Sequence, residues 1–357
     1  MEWVKLGDIV DIKTGKLDAN AAVENGEYPF FTTAKEISYI DKYAYDDEVV
    51  LIAGNGDLNV KYYNGKFNAY QRTYILTKKN GIGMEMKYLF YFMSKYVQVL
   101  RNQSIGGVIK YIKLSNLTEA LIPFPRQEEQ ECIVEKFNLL EDAIAKRQEQ
   151  MESLDDLVES VFYEMFGDNK WEKTKIKEVA WIDTNVVQDF SAFADEFYLG
   201  VEDIEKETGK ILSKVKVKDV DIKSSKNRFT KEHILYSKIR PYLNKVALPD
   251  FNGLVSTDVF PILCGEMINK HFLLHVLRSV HFVSYASLNS TGANIPRINK
   301  KIIENYSINL PPIALQNRFA DIVRSIEEEK EKLKVSLEEL ETLFDALMQE
   351  AFSGNLV

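Results

Sequence analysis

Two runs of apolar residues in this chain step by four positions and then by three. In the first they fall at Ile133, Phe137, Leu140, Ile144, Met151, Leu154, Val158, Val161 and Met165. In the second they fall at Phe319, Val323, Ile326, Leu333, Leu337, Leu340, Phe344, Leu347 and Ala351. One slot in each run is charged, Arg147 and Lys330, and neither glycine nor proline interrupts either run. Most of the other positions are Glu, Asp, Lys, Gln or Ser. A 3.5-residue period held over several heptads lays a narrow apolar stripe along a helix. Such a stripe suits one partner helix better than a broad core.

Both runs lie inside a larger repeat. Residues 104–169 and 290–355 align at a constant offset of 186, with no gap across 66 positions. Ser104, Gly106, Ile109 and Ile112 match Ser290, Gly292, Ile295 and Ile298; Pro125, Gln130, Leu140, Leu154, Leu157, Glu164, Phe166 and Asn169 match Pro311, Gln316, Ile326, Leu340, Leu343, Glu350, Phe352 and Asn355. The chain is a tandem duplication.

Chain continuity sets the direction of helix pairing. The first helix leaves one globular block and delivers the chain to a second. At about 1.5 Å per residue, the stretch from Ile133 to Met165 separates the blocks by roughly 48 Å. To bury its stripe, the second helix must run back, so the expected pair is antiparallel and the halves are related by a pseudo-twofold axis.

The blocks have the patterning of mixed domains. They open alike, with Leu6–Ile12 in the first and Ile176–Ile182 in the second. Strand-like runs follow at Val49–Ile52 and Arg72–Leu76, with turn signals at Gly54-Asn55-Gly56, Tyr63-Asn64-Gly65 and the Gly81/Gly83 pair. The second block shows period-two apolar residues from Ile211 to Val220, then Ile234-Leu235-Tyr236 and a run near Val259. One helix is expected before each duplicated segment, over Lys87–Arg101 and Lys270–Ser287. The fold class is therefore α+β: two globular α/β domains in tandem repeat, separated by two long helices forming an antiparallel coiled coil. The expected boundaries are 1–125 for the first domain, 126–168 for the first helix, 169–312 for the second domain and 313–357 for the second helix.

Composition changes this picture in one respect. A net charge of −9 argues against nucleic-acid binding until it is divided along the chain. The two helical segments carry −9 and −5, and the two blocks carry +1 and +4. The blocks are free to meet DNA while the acidic rods stay off the phosphates. Cys132 and Cys264 form no disulfide framework. Cys132, near a helix start, is expected to be small and partly buried, with a reducing cytoplasm as the default compartment. No stretch approaches 18 consecutive apolar residues, and Met1–Lys5 lacks a signal-peptide pattern, so the chain reads as soluble and intracellular.

Catalytic chemistry finds no foothold. No nucleophile, base and orienting residue recur in both copies, and all four histidines (His233, His271, His275, His281) fall in the second block. His271 and His275 are spaced i, i+4 but lack the intervening glutamate of a zinc protease and a third ligand, so no metal site is expected. No phosphate loop, amino-methylation motif or nuclease motif is present.

Two diverged heads, each closed by a Gly-x-x-Ile-x-x-Ile segment, a proline entry and a glutamine before a long helix, carry a family resemblance. The first copy reads Ser104-Ile105-Gly106-Gly107 to Ile112, then Ile122-Pro123-Phe124-Pro125-Arg126-Gln127-Glu128-Glu129-Gln130 through Val134. The second reads Ser290-Thr291-Gly292 to Ile298, then Leu310-Pro311-Pro312-Ile313-Ala314-Leu315-Gln316. Over essentially its whole length the chain resembles the DNA-specificity subunit of type I restriction–modification enzymes. It departs in being short, with compact heads, and in carrying Gln316-Asn317 where a more usual entry has Glu-Gln.

The resemblance implies a non-catalytic protein whose two target-recognition domains each read one half of a split DNA site. The paired helices would act as a ruler and as the dock for two modification subunits. No cofactor is implied in this chain. S-adenosylmethionine would sit on the modification partners, which methylate adenine, and ATP and Mg on restriction subunits that join to cut DNA. Candidate DNA contacts in the first head are Asn55, Lys61, Gln71, Arg72, Ser104, Gly106, Gly107 and Lys110. In the second they are Lys238, Arg240, Tyr242, Asn244, Lys245, Ser290, Thr291, Gly292, Asn294 and Arg297. Arg, Lys and Gln suit base edges, whereas Ser, Thr and glycine amides suit phosphates. Arg240 before Pro241 and Arg297 after Pro296 stand out, because proline fixes the local backbone. The competing readings are a related specificity subunit whose partner fuses methylation and cleavage, and a coiled-coil scaffold whose heads bind proteins.

Overall fold

The computed structural model describes residues 2–167 and 171–353; the match of Asn169 with Asn355 lies outside them. The chain divides into two compact units. One comprises residues up to 150 together with those from 333 onward, and the other comprises residues 151–332.

The first unit opens with β1 (Glu2–Lys5), the single turn α1 (Leu6–Ile9) and β2 (Val10–Thr14). Then come β3 (Tyr28–Phe31), β4 (Ser38–Ile40), β5 (Tyr45–Ala53), β6 (Val60–Ala69) and β7 (Thr73–Lys78). After these, α2 (Met86–Gln103), α3 (Leu114–Thr118) and β8 (Leu121–Phe124) lead to the long α4 (Gln127–Phe166). Strands β2 to β7 form one sheet in the order β2-β7-β5-β6-β3-β4. The terminal β1 pairs antiparallel with β8.

The hairpin of β5 and β6 turns at Gly54–Asn59, as the first glycine-rich signal predicts. The second signal is overridden. Asn64 and Gly65 lie inside β6, opposite Glu48 and Asp47, in a ladder running unbroken from Tyr45↔Phe67 to Ile52↔Val60. Cross-strand pairing along a nine-residue strand outweighs a local turn preference, and Gly65 accommodates the result with φ +130°.

The second unit contains β9 (Lys173–Lys175), α5 (Ile176–Val179), β10 (Ala180–Ile182), β11 (Val186–Val187), β12 (Phe197–Leu199) and β13 (Val215–Lys216). It continues with β14 (Lys226–Phe229), β15 (His233–Ser237), β16 (Val246–Ala247), β17 (Gly253–Ser256) and β18 (Val259–Cys264). Helices α6 (Lys270–Arg278), α7 (Val280–Leu288) and α8 (Lys300–Glu304), then β19 (Ser307–Asn309), precede the long α9 (Ile313–Ser353). Its sheets run β10-β18-β15-β16 and β11-β14-β17-β12-β13. The second head thus shares its entry, exit and flanking helices with the first, but not its sheet.

Two expectations for this head are corrected. The alternation from Ile211 to Val220 is not one strand. Ile211 makes a single bridge to Ile204, Val215–Lys216 pair with β12, and Val217 is buried in a 3₁₀ turn. The helix expected over Lys270–Ser287 breaks at Ser279, whose extended backbone (ψ 147°) ends α6. Its hydroxyl accepts the Phe282 N–H at 3.3 Å and so starts α7.

Helices α4 and α9 are each divided between the units. Within the first unit, Phe137 near the start of α4 meets Phe344 at 5.5 Å between ring centroids. Phe352, near the end of α9, packs on Tyr88 (5.2 Å) and Phe92 (5.6 Å) of α2. Within the second unit, Phe162 and Phe166 meet Phe319 at 5.4 and 5.5 Å, while Asp155 meets Lys330 at 2.5 Å. Position rises along α4 as it falls along α9, so the segments are antiparallel. The charged slot at Lys330 thus carries an ion pair in the seam.

The apolar positions of both runs are buried or half-buried, whereas Leu139, Leu157, Val335 and Leu343, which lie off the stripe, are exposed. Cys132 is also exposed, against expectation, because it sits beside the inward-facing Ile133 and not on that face. No described helix is long and apolar enough to cross a membrane.

Candidate DNA interface

In the first head a loop follows α2 and folds back on itself. Ile105 and Tyr111 exchange backbone hydrogen bonds of 3.0 and 2.9 Å. The reversal needs glycine: Gly106 has φ +120°, and a Cβ there would lie 2.6 Å from the Ile109 carbonyl oxygen. The β5–β6 turn joins as a third segment. Gly56 N–H donates to Lys110 O (2.9 Å), and Ile112 N–H donates to Gly54 O (3.0 Å).

The second head builds the same frame from different residues. Thr291 and Arg297 exchange backbone bonds of 2.9 and 2.8 Å around Gly292 (φ +106°), where a Cβ would lie 2.9 Å from Ile295 O. Arg240 N–H donates to Pro296 O (2.7 Å), and Ile298 N–H donates to Lys238 O (2.9 Å). Lys238, Ile239 and Arg240 therefore stand where Gly54, Asn55 and Gly56 stand in the first head.

This frame gathers most of the candidate contacts of each head. In the first, Asn55, Ser104, Gly106, Gly107 and Lys110 come together. Arg72 joins them through its carbonyl, which accepts the Gly54 N–H at 2.8 Å. Next to Arg72, Gln71 donates its side-chain amide to Asp18. Lys61 sits apart. Its amine is turned to Ala34 O and Asn59 Oδ1, and burial pulls its pKa below the ordinary lysine value.

In the second head, Lys238, Arg240, Tyr242, Ser290, Thr291, Gly292, Asn294 and Arg297 converge. Lys238 is held by Thr257 O (2.7 Å) and Asp258 Oδ1 (3.1 Å), and Arg297 approaches the other Asp258 oxygen at 3.8 Å. Asn244 and Lys245 point back into the head. The Asn244 amide donates to Arg278 O at 3.0 Å, and the Lys245 amine donates to Val201 O at 2.9 Å.

Sequence reasoning passed over three features of this surface. Val108 and Ile109 are exposed at the tip of the first loop, as Ile295 is on the second. Asp258 organises two cations. Tyr111 closes the first loop as Arg297 closes the second; its offset of 186 from Arg297 could have marked it. Of the histidine pair, His275 lies against Phe162 (5.5 Å) and Phe319 (5.1 Å).

A sequence model of the type I restriction modification DNA specificity domain matches residues 1–153 and again 168–342. The chain belongs to that family. The type I EcoDI specificity subunit of Escherichia coli is 29% identical over 403 aligned positions, covering 100% of this chain and 89% of the relative. The MjaVIII specificity subunit of Methanocaldococcus jannaschii is 23% identical, covering 99% and 92%.

Solved specificity-subunit structures share the fold. The type I S subunit from M. genitalium superposes with a TM-score of 0.63 at 14% identity, covering 98% of this chain and 96% of that one. A chain from a structure of type I restriction–modification complex assembly and conformational transition gives 0.59 at 16% identity, covering 99% and 98%. This specificity subunit therefore carries two recognition domains, and its role of DNA recognition follows from the family.

Proposed function

We propose that each head of this specificity subunit reads one half of a split DNA site through the three-segment frame around Tyr111 or Arg297. The antiparallel helices fix the distance between the half-sites and dock two methyltransferase subunits. The chain itself catalyses nothing. S-adenosylmethionine is bound by the methyltransferase partners and ATP with Mg by restriction subunits, in the cytoplasm where the DNA lies.

One observation carries this reading: the same backbone frame presents polar, exposed side chains in both heads while the sheets behind it differ. One head can contact only a few base pairs, and each good bidentate contact discriminates by about 1–3 kcal/mol. Joining two heads makes the second contact intramolecular, so specificity multiplies without a larger head. Sequencing the methylome of the host with and without this gene tests the proposal. The expected result is a two-part motif that vanishes with the gene. A continuous motif, or none, would overturn it.

A further inference from the structure

Gly56 and Arg240 occupy equivalent places in their heads, and both have left-handed backbones, with φ of +71° and +50°. At Gly56 that conformation is unstrained. A side chain rarely adopts it, and such strain persists mainly where the surroundings enforce it, often at functional sites. Arg240 is enforced from both sides. Its N–H is bound to Pro296 O (2.7 Å), its carbonyl accepts the Leu243 N–H (2.9 Å), and the next residue is the buried Pro241. A glycine would meet every one of these backbone requirements.

The guanidinium is also free. Arg240 is exposed, and among the described residues its side chain has no acceptor. Lys238, Arg297 and Lys245, by contrast, face Asp258, Asp258 and Val201 O respectively. An unoccupied cation is thus projected from a fixed Cα–Cβ direction.

We propose that Arg240 reads the edge of a guanine in the half-site bound by the second head. The assignment rests on the DNA reading above and sharpens it. Phosphates are common to both half-sites, yet the first head has no side chain at this place. Arg240 therefore has no counterpart at the equivalent position of the first head, as expected of a group that reads a base particular to one half-site. A phosphate contact would be served by any flexible surface cation, whereas a bidentate fork on guanine O6 and N7 needs a set direction.

The test is selection from a randomised duplex library by the full chain assembled with its methyltransferase partners, comparing wild type, Arg240→Gly and Arg240→Lys. Arg240→Gly should lose preference for one G·C pair in one half-site by about 5- to 150-fold, Arg240→Lys should lose part of that preference because its ammonium lacks the planar fork, and the other half-site should be unchanged in both. Arg240→Gly should melt no lower than wild type, because the strain is relieved, and Arg240→Lys should keep the salt dependence of binding. Unchanged base preferences in both variants would overturn the assignment. So would a uniform weakening across all sequences with the salt slope reduced by about one, which marks a phosphate contact. A lower melting point for Arg240→Gly would mark a structural role instead. A wild-type complex that selects no split motif would overturn the DNA reading itself, and this assignment with it.

Discussion

Gln130 and Gln316, 186 positions apart, are both fully buried and make the same three hydrogen bonds. Gln130 Oε1 accepts the N–H of Glu85 (2.9 Å), and its amide donates to Pro125 O (2.9 Å) and Gly83 O (3.2 Å). Gln316 Oε1 accepts the N–H of Asn269 (2.8 Å), and its amide donates to Pro311 O (2.7 Å) and Met267 O (3.2 Å). Glu85 and Asn269 cap α2 and α6, so each glutamine ties the first turn of a long helix to the start of a head helix. Replacing either by leucine removes the partner of a part-buried N–H and of a buried bond to a proline carbonyl, at about 1–3 kcal/mol for each group left orphaned. Urea unfolding of Gln130→Leu and Gln316→Leu should show clear losses of stability of similar size. A neutral result for either would mean that the shared geometry does not stabilise the joint.

The two loop glycines should be irreplaceable for a different reason. Gly106→Ala and Gly292→Ala each place a Cβ against a backbone carbonyl in a conformation that L residues avoid, which costs on the order of 1–3 kcal/mol locally. The loops lie at the surface, so the heads should stay folded while DNA affinity falls. Circular dichroism together with duplex binding separates the two effects. Wild-type affinity in both variants would place the DNA elsewhere.

Acid should loosen the second unit through His275. This side chain is packed between the rings of Phe162 and Phe319, and burial, with Arg278 and His271 adding to it, drives its pKa down to about 4. His271, half-buried, is lowered too, by burial first and then by the charges of Lys270 and Arg324. The folded state therefore prefers the neutral ring, and unfolding takes up a proton. This contribution to stability is complete above pH about 6.5, the unfolded value, and is lost as the pH falls toward about 4. Denaturation midpoints between pH 4 and 7 should drop less steeply for His275→Gln than for wild type. Parallel profiles would show that this histidine does not titrate on unfolding.

The long helices were legible because a 3.5-residue stripe is a one-dimensional signal that pairing across the seam merely satisfies; the exposure of Leu139 and Leu157 beside the buried Phe137 shows how strictly it applies. Strands set by distant partners were less so. Asn64-Gly65 looks like a turn until Asp47 and Glu48 are seen opposite it, and the alternation at Ile211–Val220 dissolves because its neighbours pair elsewhere. The candidate surface was visible as residue types near glycine-rich segments. Which side chains stay free was not, because that depends on acceptors remote in sequence, such as Asp258 for Arg297 and Val201 for Lys245.

The central claim, that back-folded helices space two reading heads, is tested most directly by lengthening both helices. One heptad inserted at matched points of α4 and α9 adds about 10 Å, which corresponds to roughly 3 base pairs. Mapping the methylated motif of this variant should return the same two half-sites with a wider unread gap, while an insertion in α4 alone should disrupt pairing and abolish methylation. An unchanged gap in the matched double insertion would contradict the account.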